Sequence, residues 1–151
     1  VFVKVETATS INKWEEIYPV ADFDWPYVFA LPYLGIRETE LQSLQYKILH
    51  RFFPCNYVLN KWYPYHDKYC NKCTESDTIE HYFFECRELH HFWSSFFRWW
   101  TLATEVNVTL SAMDIIFGVQ NPFELILFDI LNFLILYAKG FIYRQKTRKN
   151  S

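Results

Sequence analysis

The sequence predicts a mainly α-helical domain, and three observations carry that prediction. Apolar residues recur at helical spacing in three long stretches, beginning near Glu38, Leu89 and Asn121. Only three glycines occur in 151 residues, which leaves little room for tight hairpins. Between the first two stretches lies Cys70-x2-Cys73-x7-His81-x4-Cys86, a compact set of soft or borderline metal ligands. Such a set builds local structure around an ion. The expected architecture is therefore a single helical domain over residues 1–151, organised around a CCHC zinc-knuckle-like segment at about 65–90.

The elements follow in order. Ser10 is placed to cap a short helix with Ile11, Trp14, Ile17 and Tyr18 on one face, stopped by Pro19. Trp25 to Leu31 is short and aromatic, bounded by Pro26 and Pro32, with Gly35 closing the connection. From about Glu38 to Phe53, the residues Leu41, Leu44, Ile48 and Phe52 mark one helical face, and Pro54 ends the run. Asn56 starts a further turn carrying Tyr57, Leu59 and Trp62. After Cys73 the chain is turn-rich, and Asp77 or Thr78 caps a helix that begins near Ile79 and carries His81 towards Cys86. Leu89, Phe92, Trp93, Phe96, Phe97 and Trp100 then form the core stripe of the second long helix. Val106 to Leu110 alternates and is β-branched, as in a short strand or an extended arm. Ser111-x-x-Asp114 resembles a capping box before Ile115, Ile116 and Phe117, and Gly118 stops that turn. Asn121 as cap, Pro122 at the first helical position and Glu124 reaching back start the last helix, which runs towards Arg144.

That last helix contains the apolar run Phe123 to Ala138, which is short of the roughly 20 residues needed to span a bilayer and includes Glu124 and Asp129. Asn121, Asp129, Asn132 and Lys139 fall in one polar stripe, so a helix buried on most sides, and no membrane partner, is expected.

Composition narrows the function classes. A hydrophobic content of 51% and an aromatic content of 21% exclude a disordered chain. The net charge of −2 excludes a general polycation, so any nucleic-acid contact needs a local basic patch. Cys55 has no evident partner, and free thiols beside a metal segment suit a reducing, intracellular compartment, cytoplasm or nucleus. Val1 to Ser10 has charges and no apolar core, so no signal peptide is expected, and a chain starting at Val1 reads as a fragment of a longer one.

Four protein ligands leave no open position for water or substrate. Cys70, Cys73, His81 and Cys86 are thus expected to hold one structural Zn2+ and to perform no metal catalysis. The competing reading of Cys70 and Cys73, a redox pair or disulfide, lacks a surrounding βαβ pattern. His90 and His91 would over-complete the site and read as surface residues. No Gly-rich phosphate loop, Gly-x-Ser-x-Gly elbow, tyrosine followed by two aspartates or cluster of carboxylates is present. No catalytic residue, enzymatic activity or small-molecule substrate is therefore expected. Lys61, Lys68, Lys72 and Arg87 flank the metal segment, with Trp62, Tyr65 and Tyr69 interleaved. Cations beside aromatic rings suit single-stranded nucleic acid, because phosphates meet the charges and bases stack. Arg144, Lys146, Arg148 and Lys149 form a second basic run. For both clusters the alternative is a solvated face.

These residues complete a wider pattern. Leu44-Gln45-Tyr46-Lys47-Ile48-Leu49-His50-Arg51 is followed by Asn56, Leu59 and Lys61, then by Cys70-Asn71-Lys72-Cys73. Asp77-Thr78-Ile79-Glu80-His81-Tyr82-Phe83-Phe84-Glu85-Cys86 and Phe92-Trp93 come next. The pattern resembles the zinc-binding region after the reverse transcriptase in non-LTR (long interspersed) retrotransposon polyproteins. Lys13-Trp14-Glu15, Trp25 to Pro32, Asp114-Ile115-Ile116-Phe117-Gly118 and Phe141-Ile142-Tyr143-Arg144 extend the resemblance over most of the chain. It implies a C-terminal part of a polyprotein that nicks target DNA and copies element RNA there. The ligand roles carry over to Cys70, Cys73, His81 and Cys86. The implied partners are RNA or DNA and the reverse transcriptase core. Tyr82, where many relatives have leucine, and Cys55, where a small polar residue is expected, depart from the pattern outside the ligand set. The family's polymerase and endonuclease motifs lie outside this chain.

Overall fold

The structure, a computed structural model, describes residues 2–19 and 22–149. It is mainly helical, with no strand among the described residues. The helices are α1 (Phe2–Ile17), α2 (Trp25–Ala30), α3 (Thr39–Leu49), α4 (Asn56–Trp62), α5 (His90–Thr104), α6 (Ala112–Phe117) and α7 (Ile126–Lys149). The chain divides into two compact units. One comprises the chain through Phe53 together with the chain from Phe117 onward, and the other is Pro54–Ile116.

In the first unit α3 packs on α7. Ile36, Leu41 and Leu136 are buried together, with Phe133 against them. Gly140 sits at the crossing, where a Cβ would run into Leu41 Cδ2, so any larger residue would force the Leu41 side chain to move. Leu41, Leu44 and Ile48 are buried as the periodicity predicts, but Phe52 is 49% exposed. The helix stops at Leu49, three residues short of Phe52. Arg51 then takes a left-handed φ of 60°. Its N–H reaches the Ile48 carbonyl at 3.1 Å, and the Phe52 N–H reaches the Lys47 carbonyl at 2.8 Å. This is a Schellman cap with arginine where glycine is usual. The reversal throws Phe52 out of phase and turns Phe53 into the core instead.

Arg51 lays its guanidinium 4.6 Å from the centroid of the buried Trp14 ring. Trp14 donates its indole N–H to the Leu49 carbonyl (2.8 Å) and meets Phe117 edge-on. Ser10, expected to cap the first helix, lies within α1 instead, because that helix begins eight residues earlier. Its hydroxyl is buried against His50 Nδ1 at 3.2 Å.

The last helix also starts later than expected. Asn121 Oδ1 accepts the Leu125 N–H at 2.9 Å, so Asn121 does cap a turn. Glu124 then takes φ 52°, which no continuous helix allows, and α7 begins only at Ile126. Of the predicted polar stripe, Asp129, Asn132 and Lys139 lie on α7, while Asn121 precedes the helix. Asn132 is buried, its amide oxygen accepting the Val119 N–H and its amide nitrogen donating to the Val119 carbonyl and to Tyr27 Oη. Asn121 donates to Asp129 Oδ1 at 3.0 Å, and the buried Lys139 donates to Gln45 Oε1 of α3. Residues Ile126–Arg148 are long and apolar enough to cross a membrane by length and composition, and 44% of the most apolar window is buried within the structure.

In the second unit α5 buries Trp93 and Trp100, with Leu89 buried just before it, while Phe92, Phe96 and Phe97 are half-buried and pack around Trp93. Each such aromatic pair adds about 0.5–1.5 kcal/mol beyond area burial. Glu105 ends the helix at φ 59°. The chain from Val106 to Leu110 is the extended arm of the two alternatives, with no strand partner. Asp114 Oδ2 accepts both the N–H and the hydroxyl of Ser111, which completes the anticipated cap of α6. Gly118, at φ 90°, stops that helix.

Candidate metal centre

Two short segments of the second unit deliver the four ligands. The first is a tight turn. The Cys70 N–H donates to the Glu75 carbonyl at 2.7 Å, and Tyr69 and Ser76 pair as an isolated antiparallel bridge. Thr74 takes φ 58° at the tip, and the Lys72 N–H points at Cys70 Sγ, 3.4 Å away. Cys70 and Cys73 thereby face one side.

The second segment is a wide turn of helix. Of the two candidate caps it is Thr78 that acts: its hydroxyl accepts the His81 N–H at 3.2 Å and its carbonyl the Tyr82 N–H at 2.8 Å. His81–Glu85 is then a π-helix, and the Cys86 N–H closes on the His81 carbonyl at 3.0 Å. The π geometry matters for the site. In an α-helix of 3.6 residues per turn, positions five apart point about 140° from each other. Bonding from i to i+5 widens the turn, so His81 and Cys86 come to nearly the same side.

The result is one cluster. Cys73 Sγ lies 3.0 Å from His81 Nε2, and Cys86 Sγ lies 4.0 Å from both Cys70 Sγ and Cys73 Sγ. All four ligand atoms fall within 4.8 Å of one another, and they could hold a metal ion. His81 and Cys86 are buried, whereas Cys70 and Cys73 are half-buried. Desolvation raises the Cys73 thiol, but the backbone N–H groups of Glu75 and Arg87 and the Cys70 and Cys86 side chains outweigh it, leaving Cys73 more acidic than an ordinary thiol. Cys55 stays outside the cluster. It is buried, and desolvation first, then the charges of Asp77 and Glu80, push its thiol up to about 11. A thiol so held is a poor metal ligand.

Asp77, the other candidate cap, has a role the sequence did not suggest. Its buried carboxylate accepts the Asn56 N–H at 3.0 Å and its carbonyl accepts the Tyr57 N–H at 3.1 Å. It therefore caps α4 from the metal segment and ties the two together. Asn56 and Asn60 fasten the intervening loop: Asn56 Nδ2 donates to the Tyr69 carbonyl (2.9 Å), its Oδ1 meets His66 Nε2 (2.9 Å), and Asn60 Nδ2 donates to the His66 carbonyl (2.7 Å).

The six residues expected to contact nucleic acid divide between two places. Lys61, Trp62, Lys68 and Tyr69 belong to α4 and this loop, with Lys61 over the Tyr57 ring and Lys68 over the Tyr69 ring. Lys72 and Arg87 meet beside the ligand cluster, where Arg87 Nη2 reaches the Lys72 carbonyl at 3.4 Å. The exposed aromatic set is larger than expected by Tyr63, 64% exposed, which joins Trp62, Tyr69 and the wholly exposed Tyr65. Exposed tyrosines flanking Pro64 in a polar loop were the available signal. His90 and His91 are exposed, outside the cluster. The unit as a whole is acidic: Pro54–Ile116 holds five Lys and Arg against eight Asp and Glu, net −3. The Glu85 carboxyl is raised chiefly by desolvation and secondarily by the charges of Glu80 and Glu75.

No family model, curated protein or solved structure matches this chain.

Proposed function

We propose that this chain is a non-catalytic module of a retrotransposon reverse transcriptase, built on one structural zinc ion and binding single-stranded nucleic acid beside it. The resemblance of the ligand segment supplies the setting, and the loop between α4 and Cys70 supplies the contact.

Zinc suits the cluster. With Zn–S near 2.3 Å, a regular tetrahedron has S···S edges of about 3.8 Å. The two 4.0 Å sulfur separations agree with that. The 3.0 Å between Cys73 Sγ and His81 Nε2 would open by roughly half an ångström. Three thiolates and an imidazole saturate the ion, so Cys70, Cys73, His81 and Cys86 would hold it with a structural role and no site for substrate.

The observation that carries the binding reading is a preorganised aromatic loop. Trp62, Tyr63, Tyr65 and Tyr69 are all exposed on a segment pinned at both ends by Asn56 and Asn60. A stacked base is worth about 1–3 kcal/mol. Four cations lie near, Lys61, Lys68, Lys72 and Arg87, within an acidic unit. Phosphate contacts are therefore few, and stacking leads. At about 0.7 per contact for single strands, the salt slope should not exceed roughly 3.

Fluorescence anisotropy with single-stranded RNA, single-stranded DNA and duplex DNA across a salt series tests this. Single strands should bind better than duplex with a shallow slope, and Tyr63→Ala with Tyr65→Ala should weaken binding about 10-fold or more. Equal duplex binding, or no loss in that double variant, overturns the reading. The second reading, a zinc-stabilised interaction scaffold packing on the polymerase or a host protein, is favoured by Trp99 and Leu102. These stand 52% and 76% exposed on the outer side of α5.

A further inference from the structure

The outward side of α7 is apolar too. Ile126, Ile130, Leu134, Tyr137 and Phe141 are spaced by four, four, three and four residues, which confines them to about a quarter of the helix circumference. Ile126 is 75% exposed, and Ile130, Tyr137 and Phe141 are each 40–45% exposed. Phe123, at 82%, and Leu125 extend the surface at its N-terminal end. The stripe runs about 22 Å at 1.5 Å per residue. At roughly 200 Å² per large side chain, the exposed fractions amount to about 600–700 Å². That is close to the ~800 Å² which one partner contributes to a standard interface. Monomers seldom expose so large a contiguous patch.

The charges at its ends are opposite. Arg144 and Arg148 continue the stripe at its C-terminal end, and Glu124 stands exposed at the start. A stripe with these ends is matched by its own reverse. We infer that α7 is the interface of an isologous dimer, in which the outward stripe of one copy packs antiparallel on that of a second. The two-fold axis then falls near Leu134, with Arg144 and Arg148 approaching Glu124 of the second copy. A bilayer fits the same stripe less well. Tyr137 Oη donates to the Glu38 carboxylate at 2.8 Å, which places an acid at mid-length where lipid would have to lie.

Sedimentation velocity of the full chain in zinc-containing buffer, over a micromolar concentration series, reads the association directly. The wild type should show a concentration-dependent dimer. Ile130→Glu should weaken it about 100-fold with unchanged circular dichroism. Arg144→Glu should weaken it about 10-fold, and adding Glu124→Arg should restore it to within about 3-fold. The charge pair decides the matter should Ile130→Glu misfold. A monomer at every concentration, a dimer indifferent to the charge reversals, or a wild-type monomer that floats with phosphatidylserine vesicles would each overturn the inference, the last in favour of a membrane surface.

Discussion

Cys73→Ser removes one thiolate from the ligand cluster, and its consequence is set by how little else holds residues 63–89. In that span the buried apolar side chains are Ile79, Phe83, Cys86 and Leu89. At about 1.5–3 kcal/mol for each large one, Ile79, Phe83 and Leu89 contribute roughly 5–9 kcal/mol before ordering entropy is charged against them. Backbone order costs about 1–2 kcal/mol per residue, so this burial alone does not fix some two dozen residues. Metal binding by such segments supplies about 10–16 kcal/mol, more than the apolar contacts do. The variant should therefore lose metal and unfold the segment. Through Asp77 it should loosen the start of α4 as well. Metal analysis should fall from one zinc per chain towards none, the visible absorption of the cobalt-substituted form should vanish, and near-UV circular dichroism from Trp93 should collapse. Cys55→Ala should keep the metal, because that thiol lies outside the cluster. Far-UV helicity should fall only in part, since α3 and α7 belong to the other unit. A Cys73→Ser protein with full zinc and a native near-UV spectrum would show that the metal is held without Cys73, and reduced, folded wild type without zinc would show that the segment holds itself without the metal.

Further outcomes concern the first unit. Burial holds Lys139 at about 7, against 10.5 ordinarily, so between those values the unfolded chain binds a proton that the folded chain does not. Stability should thus rise with pH across that window, by up to about 1.4 kcal/mol per pH unit. Lys139→Met should flatten the rise in urea midpoints, and an unchanged slope would exclude the residue. Gly140→Ala gains about 1 kcal/mol of helix propensity but forces a Cβ into Leu41, at about 1–3 kcal/mol. A net loss of stability is expected, partly relieved in combination with Leu41→Ala, as thermal melts would show. Arg51→Ala should cost about 1 kcal/mol through the lost contact with Trp14, whereas Arg51→Gly should be nearly neutral in chemical denaturation because glycine prefers φ 60°.

What could be read from the sequence, and what could not, divides along physical lines. That Cys70, Cys73, His81 and Cys86 would come together was legible because Cys and His chemistry is local and their spacing is short. The π-turn was not, since nothing in His81-Tyr82-Phe83-Phe84-Glu85-Cys86 distinguishes i+5 from i+4 bonding until both ends must face one point. Apolar periodicity placed α3, α5 and α7, but not their ends. Phe52 has the right spacing for the core of α3 and the wrong side of a cap for it. Asn121 and Pro122 make a true start signal, which Glu124 at φ 52° interrupts. Ser10 has cap chemistry, yet a serine inside a helix can also serve a buried histidine, and only the tertiary position of His50 decides between them. Asp77 escaped for the same reason: its partner is 21 residues away in sequence.

The segment Gln45-Tyr46-Lys47-Ile48-Leu49-His50-Arg51, which carries much of the resemblance, acquires a structural account. Gln45 accepts from Lys139 Nζ, Ile48 and Leu49 are buried, His50 meets Ser10, and Arg51 closes α3 over Trp14. Each of these contacts lies within the first unit, and none touches the ligand cluster or the aromatic loop. The resemblance therefore joins two kinds of residue with separate duties. Those of α3 pack a helix against α7, and those from Asn56 to Cys86 build the Cys/His cluster and the loop beside it. Changes in the first set should lower stability while leaving metal content intact. Changes in the second should abolish metal or nucleic-acid binding while α3 and α7 remain folded. A chain in which Gln45→Ala removed the metal as efficiently as Cys73→Ser would show that the two sets act as one.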